Sequence, residues 1–142
     1  MDIEHELAIA RPREDVFDLL VDWSRHPEWV SGLVSSEADG ARAEAGQGFK
    51  QQLEHGPLRI DLEGRVTDLA APEQIACEAQ ARDVRLVWRF ELEGTEDGTR
   101  LRQRTTVSLE SFMLKMMASR VKSELESKQA ADLARLKALL ES

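Results

Sequence analysis

The residues able to do chemistry in this chain are few and scattered. Its one thiol, Cys77, alternates with Ile75 and Ala79, so pleating puts it on an apolar face. A nucleophile needs an oriented base beside it, and a thiol in apolar surroundings is inert. Cys77 therefore reads as packing or as the lining of an apolar space. His5, His26 and His55 have no metal-ligand spacing. His5 falls with the apolar row of its segment and reads as a satisfied core histidine. His26 precedes Pro27 in a segment expected at the surface, and His55 belongs to a turn, solvated or at the mouth of a cavity. Carboxylates abound, yet Asp61, Glu63, Glu91 and Glu93 fall on polar rows, where a solvated carboxylate makes a poor general acid at neutral pH. Gly46-Gln47-Gly48 is not followed by a helix and is no phosphate loop. This inventory calls for no metal and no cofactor. More telling are the polar groups on inward rows, Gln51, Gln103 and Thr105. Burying one without a partner costs roughly 1–3 kcal/mol. Either they bond one another or a trapped water, or they orient a ligand's carbonyl or hydroxyl.

The elements that must position these groups follow from periodicity. Ile3, His5, Leu7 and Ile9 alternate with polar residues, as in a half-buried strand. Pro12 then suits a helix start, with Glu14 and Asp15 placed for the helix dipole, and Val16, Phe17, Leu20 and Val21 form an apolar stripe. Asp22 is placed to end that helix and to cap a second short one through Trp23 to Val30. From Leu33 to Leu109 the pattern changes to short alternating segments. Gly56-Pro57 as central turn residues set Leu53 opposite Ile60 and Gln51 opposite Leu62, which keeps both apolar rows on one face. In the last hairpin Leu86, Trp88, Phe90 and Leu92 face inward, and Leu101, Gln103, Thr105, Val107 and Leu109 follow. Centring its turn on Asp97-Gly98 sets Glu93 against Arg102 and Glu91 against Arg104. A slip by one pair would oppose Arg89 and Arg104, a like-charge contact that disfavours it. The outward arginines read as a cross-strand charge ladder, with a nucleic-acid patch as the alternative. Ser111 to Glu141 reads as one long helix whose stripe, Leu114, Met117, Val121, Leu125, Leu133, Leu136 and Leu140, is interrupted by Gln129. Such a stripe needs apolar cover, and the inner face of the sheet supplies it.

The chain has 142 residues, about one domain's worth, so 1–142 reads as a single domain. Its net charge of −8 argues against nucleic-acid binding and disfavours anionic lipid surfaces. No apolar run approaches the ~20 residues that span a bilayer, the acidic start lacks the order of a signal peptide, and a lone cysteine makes no internal disulfide. The expectation is a cytoplasmic protein without stable membrane insertion. Strands and helices are segregated, which is an α+β arrangement: a curved antiparallel sheet of six to seven strands around a long C-terminal helix, with two short helices after the first strand. Such a sheet closes poorly at its wide end, leaving a cavity.

Over nearly its whole length the sequence resembles the START-like, or helix-grip, superfamily in its polyketide cyclase/dehydrase branch. The resemblance rests on Ile3–Ile9 leading to Ala10-Arg11-Pro12, Asp15–Leu20, Asp22-Trp23-Ser24-Arg25-His26-Pro27-Glu28-Trp29, Glu63-Gly64-Arg65-Val66-Thr67 leading to Pro72, and Gly98-Thr99-Arg100-Leu101. It implies a hydrophobic cavity for a lipid, polyketide, quinone or similar small apolar molecule. Trp29, Phe49, Leu53, Trp88 and Phe90 are candidate walls, beside Cys77 and the inward polar set. Met113, Met116 and Met117 cluster with Phe112 as adaptable lining or core. Arg120 either snorkels to solvent or pairs with a ligand carboxylate. Three functions are open at this point: binding of a small apolar ligand, a cyclase, aromatase or dehydratase reaction, and a closed-core interaction module.

Overall fold

A computed structural model covers residues 1–142 and describes all of them except the side chain of Leu58. Seven antiparallel strands form one sheet in the order β1-β7-β6-β5-β4-β3-β2. They are β1 (Asp2–Ile9), β2 (Leu33–Ala38), β3 (Gly48–His55), β4 (Leu58–Ala70), β5 (Gln74–Ala81), β6 (Val84–Thr95) and β7 (Gly98–Leu109). Register shifts at Leu33/Ser35 and Val66/Asp68 mark irregularities that bend β2 and β4. Between β1 and β2 lie α1 (Arg13–Val21), a 3-10 turn (Trp23–Arg25) and α2 (His26–Trp29). Asp22 Oδ1 accepts from the Ser24 amide and hydroxyl at 3.1 and 2.6 Å and starts that turn, as its residue type predicts. The architecture is the α+β helix-grip arrangement, with α4 (Ala118–Glu141) packed against β1 and α2.

The β3–β4 hairpin has the predicted register, Gln51 opposite Leu62 and Leu53 opposite Ile60. The last hairpin does not. Its two turn residues are Glu96 and Asp97, Thr95 pairs with Gly98, Glu91 faces Arg102, and Arg89 faces Arg104. The like-charge contact is absorbed by other partners. Arg89 donates to Gln74 Oε1 at 2.6 Å and lies 3.3 Å from Asp68, while Arg104 lies 3.6 Å from Glu4 and 3.9 Å from Glu91. What this register gains is Leu92 opposite Leu101 on the inner face, both buried. It also places Gly98 where its neighbours demand a glycine. Its φ is +150°, and a Cβ there would collide with the Ile9 carbonyl oxygen and the Arg11 amide.

Two further expectations are corrected. The C-terminal helix is broken: α3 (Phe112–Met116) ends at Met117, whose φ of −98° and ψ of 14° leave the helical region before α4 starts. His26 is buried, not at the surface. Its Nε2 bonds the Leu20 carbonyl at 2.8 Å, and its ring stands edge-on to Trp23 and Trp29.

Burial holds the His26 imidazole below its usual value of 6.5. The unfolded chain then takes up a proton that the folded chain refuses. Stability from this site is complete above about pH 6.5 and declines as pH falls from there toward the lowered folded-state value. Thermal melts between pH 7.5 and 5 are expected to show that decline, and His26→Phe should flatten it. An equal slope in the variant would mean that other groups carry it.

Candidate functional site

Burial is uneven along the inner face of the grip. Leu136 and Leu133 of α4 are 0% and 2% exposed and share one hydrophobic cluster with Ile9, Val16, Leu20, Phe90, Leu92 and Leu101. This end is sealed. Toward the first half of α4 the inward rows of β4 and β6 open, while on β7 Thr105 and Val107 stay buried. On β6, Phe90 and Leu92 are buried, while Trp88, Leu86 and Val84 are only half-buried. On β4, Leu62 is buried but Ile60 is not fully so. Gln103 of β7 and the stripe residues Val121 and Leu125 of α4 also stay partly open to water.

The polar contacts of α4 repeat the asymmetry. Lys128, Gln129, Asp132, Arg135, Lys137 and Glu141 all bond to β1, β7, α2 or the loops beside them. Asp132, buried, accepts from the Ser31 amide at 2.9 Å and from Lys128 at 2.6 Å. Among the described residues, α4 before Lys128 reaches another element with a polar side chain at one place. There Glu124 lies 3.5 Å from His55 at the tip of the β3–β4 hairpin. The helix is therefore pinned to other elements from Lys128 onward and held more loosely before it.

The expected polar set divides. The Thr105 hydroxyl bonds Gln129 Oε1 at 2.5 Å, Gln129 Nε2 bonds His5 Nδ1 at 2.8 Å, and the buried Gln129 completes the set. Thr105 is thus satisfied internally, and His5 is the satisfied histidine its row predicts. Gln51 donates to Ser36 Oγ at 3.3 Å. Gln103 differs: it is half-open, it lies opposite Phe90 and His5, and among the described residues no side chain bonds its amide.

Of the predicted walls, Trp29, Phe49, Leu53, Cys77 and Phe90 are buried at the packed part of the core. Trp29 packs edge-on between His26 and Phe90, and its indole N–H is sealed off without a partner. Trp88 keeps an open edge and stands edge-on to Phe49 with ring centres 6.0 Å apart. Met113, Met116 and Met117 are exposed, and Arg120 is exposed and 3.5 Å from Glu124. Sequence reasoning missed Leu86, Ile60, Val121 and Leu125 as a group. Their inward periodicity was visible, but the loose packing that sets them apart is a tertiary property. Gln129 was legible only as a flaw in a stripe.

Burial pushes the Cys77 thiol up to about 12, so it stays protonated and inert at neutral pH. A recess of about 620 Å³ lies on the outer face of β2–β5. It is lined by Lys50, Gln52, Asp61, Glu63 and Arg82, charges of both signs on a solvated surface. No helix is long and apolar enough to cross a membrane among the described residues.

One long helix gripped by a seven-stranded antiparallel sheet, with two short helices after β1, defines a START-like, helix-grip protein. The chain belongs to the family described as polyketide cyclase / dehydrase and lipid transport, which matches residues 1–141. Among solved structures it is similar to protein CV1439 from Chromobacterium violaceum, with 16% identity, a TM-score of 0.77, and coverage of 99% of this chain and 98% of that one. It is also similar to Ara h 8.0201, with 12% identity, a TM-score of 0.77, and coverage of 99% and 97%. A third is SSP2350 from Staphylococcus saprophyticus, with 22% identity, a TM-score of 0.67, and coverage of 99% and 92%. No curated protein matches the chain. Family and fold together point to a domain for hydrophobic ligands.

Proposed function

We propose that the protein binds a small, mostly apolar molecule at the open end of the grip, between the first half of α4 and the inward rows of β4 and β6, with Gln103 of β7 beside Phe90. The observation that carries this is the burial gradient. Ile60, Leu86 and Trp88 on the inward rows of the sheet, and Val121 and Leu125 on the stripe of α4, remain partly open, while Leu62, Phe90, Leu92, Leu133 and Leu136 further along are sealed. Apolar surface left open inside a fold gains roughly 25 cal/mol per Å² when a ligand covers it. Gln103 is the inward amide free to orient a carbonyl or hydroxyl, and a lipid, polyketide or quinone would suit that combination. Binding is favoured over turnover because the buried ionisable groups are committed: Cys77 is a neutral thiol, His26 is bonded to Leu20, and Asp132 is bonded to Ser31 and Lys128.

Native mass spectrometry of the purified protein is expected to show an added mass from a co-purified small molecule, or uptake of 1-anilinonaphthalene-8-sulfonate when none is retained. Trp88→Ala should weaken that uptake about tenfold or more. Its stability cost should fall below the ~3–5 kcal/mol of a fully buried tryptophan, because the ring is only half-buried. Unchanged uptake by the folded variant would remove Trp88 from the site, and no uptake by the wild type would sink the reading.

A further inference from the structure

Helix α3 leaves its large side chains in water. Phe112, Met113 and Met116 are 79%, 72% and 74% exposed, which a protein surface rarely tolerates in a cluster without a use. The segment is ordered locally, since Ser111 Oγ accepts from the Leu114 amide at 3.2 Å and caps the turn. On a helix these three positions span about 100° of one face. Leu114, half-buried, lies on the opposite side, so the exposed apolar face of α3 is turned outward.

The charge around this face is of the opposite sign to the chain's. Positions 111–122 hold Lys115, Arg120 and Lys122 and no acid, within a protein of net charge −8, and acids resume only at the flanking Glu110 and Glu124. The pairs Arg120–Glu124 and Lys122–Glu126, at 3.5 and 3.8 Å, are exposed contacts within one helix, which cost little to exchange for another anion. Exposed Phe and Met beside Lys and Arg is the composition of a helix that lies in a lipid interface.

We propose that α3 is a docking surface for a membrane carrying anionic lipid, with Phe112, Met113 and Met116 entering the headgroup–acyl boundary and Lys115, Arg120 and Lys122 meeting the phosphates. The contact is peripheral, with no helix spanning the bilayer. It overrides the repulsion expected from net charge because attraction is local: beyond a Debye length of about 10 Å other acids are largely screened, and the near ones, Glu124 and Glu126, sit in exposed pairs that can open to free Arg120 and Lys122. Docking does not depend on the ligand proposed above, and it stands or falls separately.

Flotation of the full chain with phosphatidylcholine vesicles, with and without phosphatidylglycerol, tests the proposal. Binding is expected to the mixed vesicles, to weaken with added salt, and to be much lower on phosphatidylcholine alone. Burying one large apolar side chain is worth roughly tenfold in a binding constant, so the triple variant F112S/M113S/M116S should lose binding to background. K115E/K122E should lose the preference for phosphatidylglycerol. All five positions are exposed, so the melting temperatures should stay near the wild type's. The proposal is overturned by a wild type that does not float with either vesicle, or by binding that survives the triple variant. It is equally overturned by a wild-type dimer that the triple variant disperses, which would make a second copy the occupant of this face.

Discussion

Leu86→Trp is expected to abolish uptake of 1-anilinonaphthalene-8-sulfonate while the protein keeps its fold. Leu86 faces inward at the open end and is only half-buried, so the larger ring has space to enter and would occupy the volume a ligand needs. Overpacking usually costs about 1–3 kcal/mol. Here the cost should sit at the bottom of that range, with a melting temperature within roughly 3 °C of the wild type's. The matched change at the sealed end should do the reverse. Leu136 is fully buried in the cluster that pins α4, so Leu136→Trp is expected to cost roughly 3 kcal/mol or more and to lower the midpoint by about 10 °C. Dye titration and thermal melts on the two variants check the pair. Equal stability losses would mean that the two ends are packed alike, and the opening with them would disappear.

The second large effect comes from Gly98→Ala. At φ +150° a side chain is strained, and the added methyl would meet the carbonyl oxygen of Ile9 and the amide of Arg11. These belong to the end of β1 and the chain leading into α1, so relief would mean separating β1 from the start of β7. A loss of about 3–5 kcal/mol is expected, read as a fall of roughly 10–15 °C in the melting temperature. Gly46→Ala is the control. Its φ is also positive, at +83°, but a Cβ there meets nothing within 4 Å, so its cost should be backbone strain alone and distinctly smaller. Equal costs would mean that conformation, not collision, sets the requirement for glycine at position 98.

The element order and the β3–β4 register were legible because period-two alternation and a Gly-Pro turn both specify them. The β6–β7 register was misread because charge pairing on a wet face is worth only about 0.2–1 kcal/mol. It yielded to Leu92 against Leu101 inside and to the crowding around Gly98. His26 was misplaced because Pro27 beside it suggests a turn, while the side chain reaches back to Leu20. The break at Met117 carries no proline or glycine to announce it. Site residues divided on the same physics. Periodicity says which way a side chain points, and Trp88 and Gln103 do point inward. It does not say how tightly that direction is packed, and so it could not separate them from their direct cross-strand partners, Thr105 and Phe90.

The three indoles form a set of internal reporters. Trp23 donates to Gln47 at 3.0 Å, Trp29 is sealed with its N–H unbonded, and Trp88 alone keeps an edge in water. Emission from the first two is fixed by the fold. A guest entering the grip would dry the third, shifting its fluorescence to the blue and shielding it from iodide quenching. Occupancy can therefore be followed on the unlabelled chain, before the identity of the guest is known.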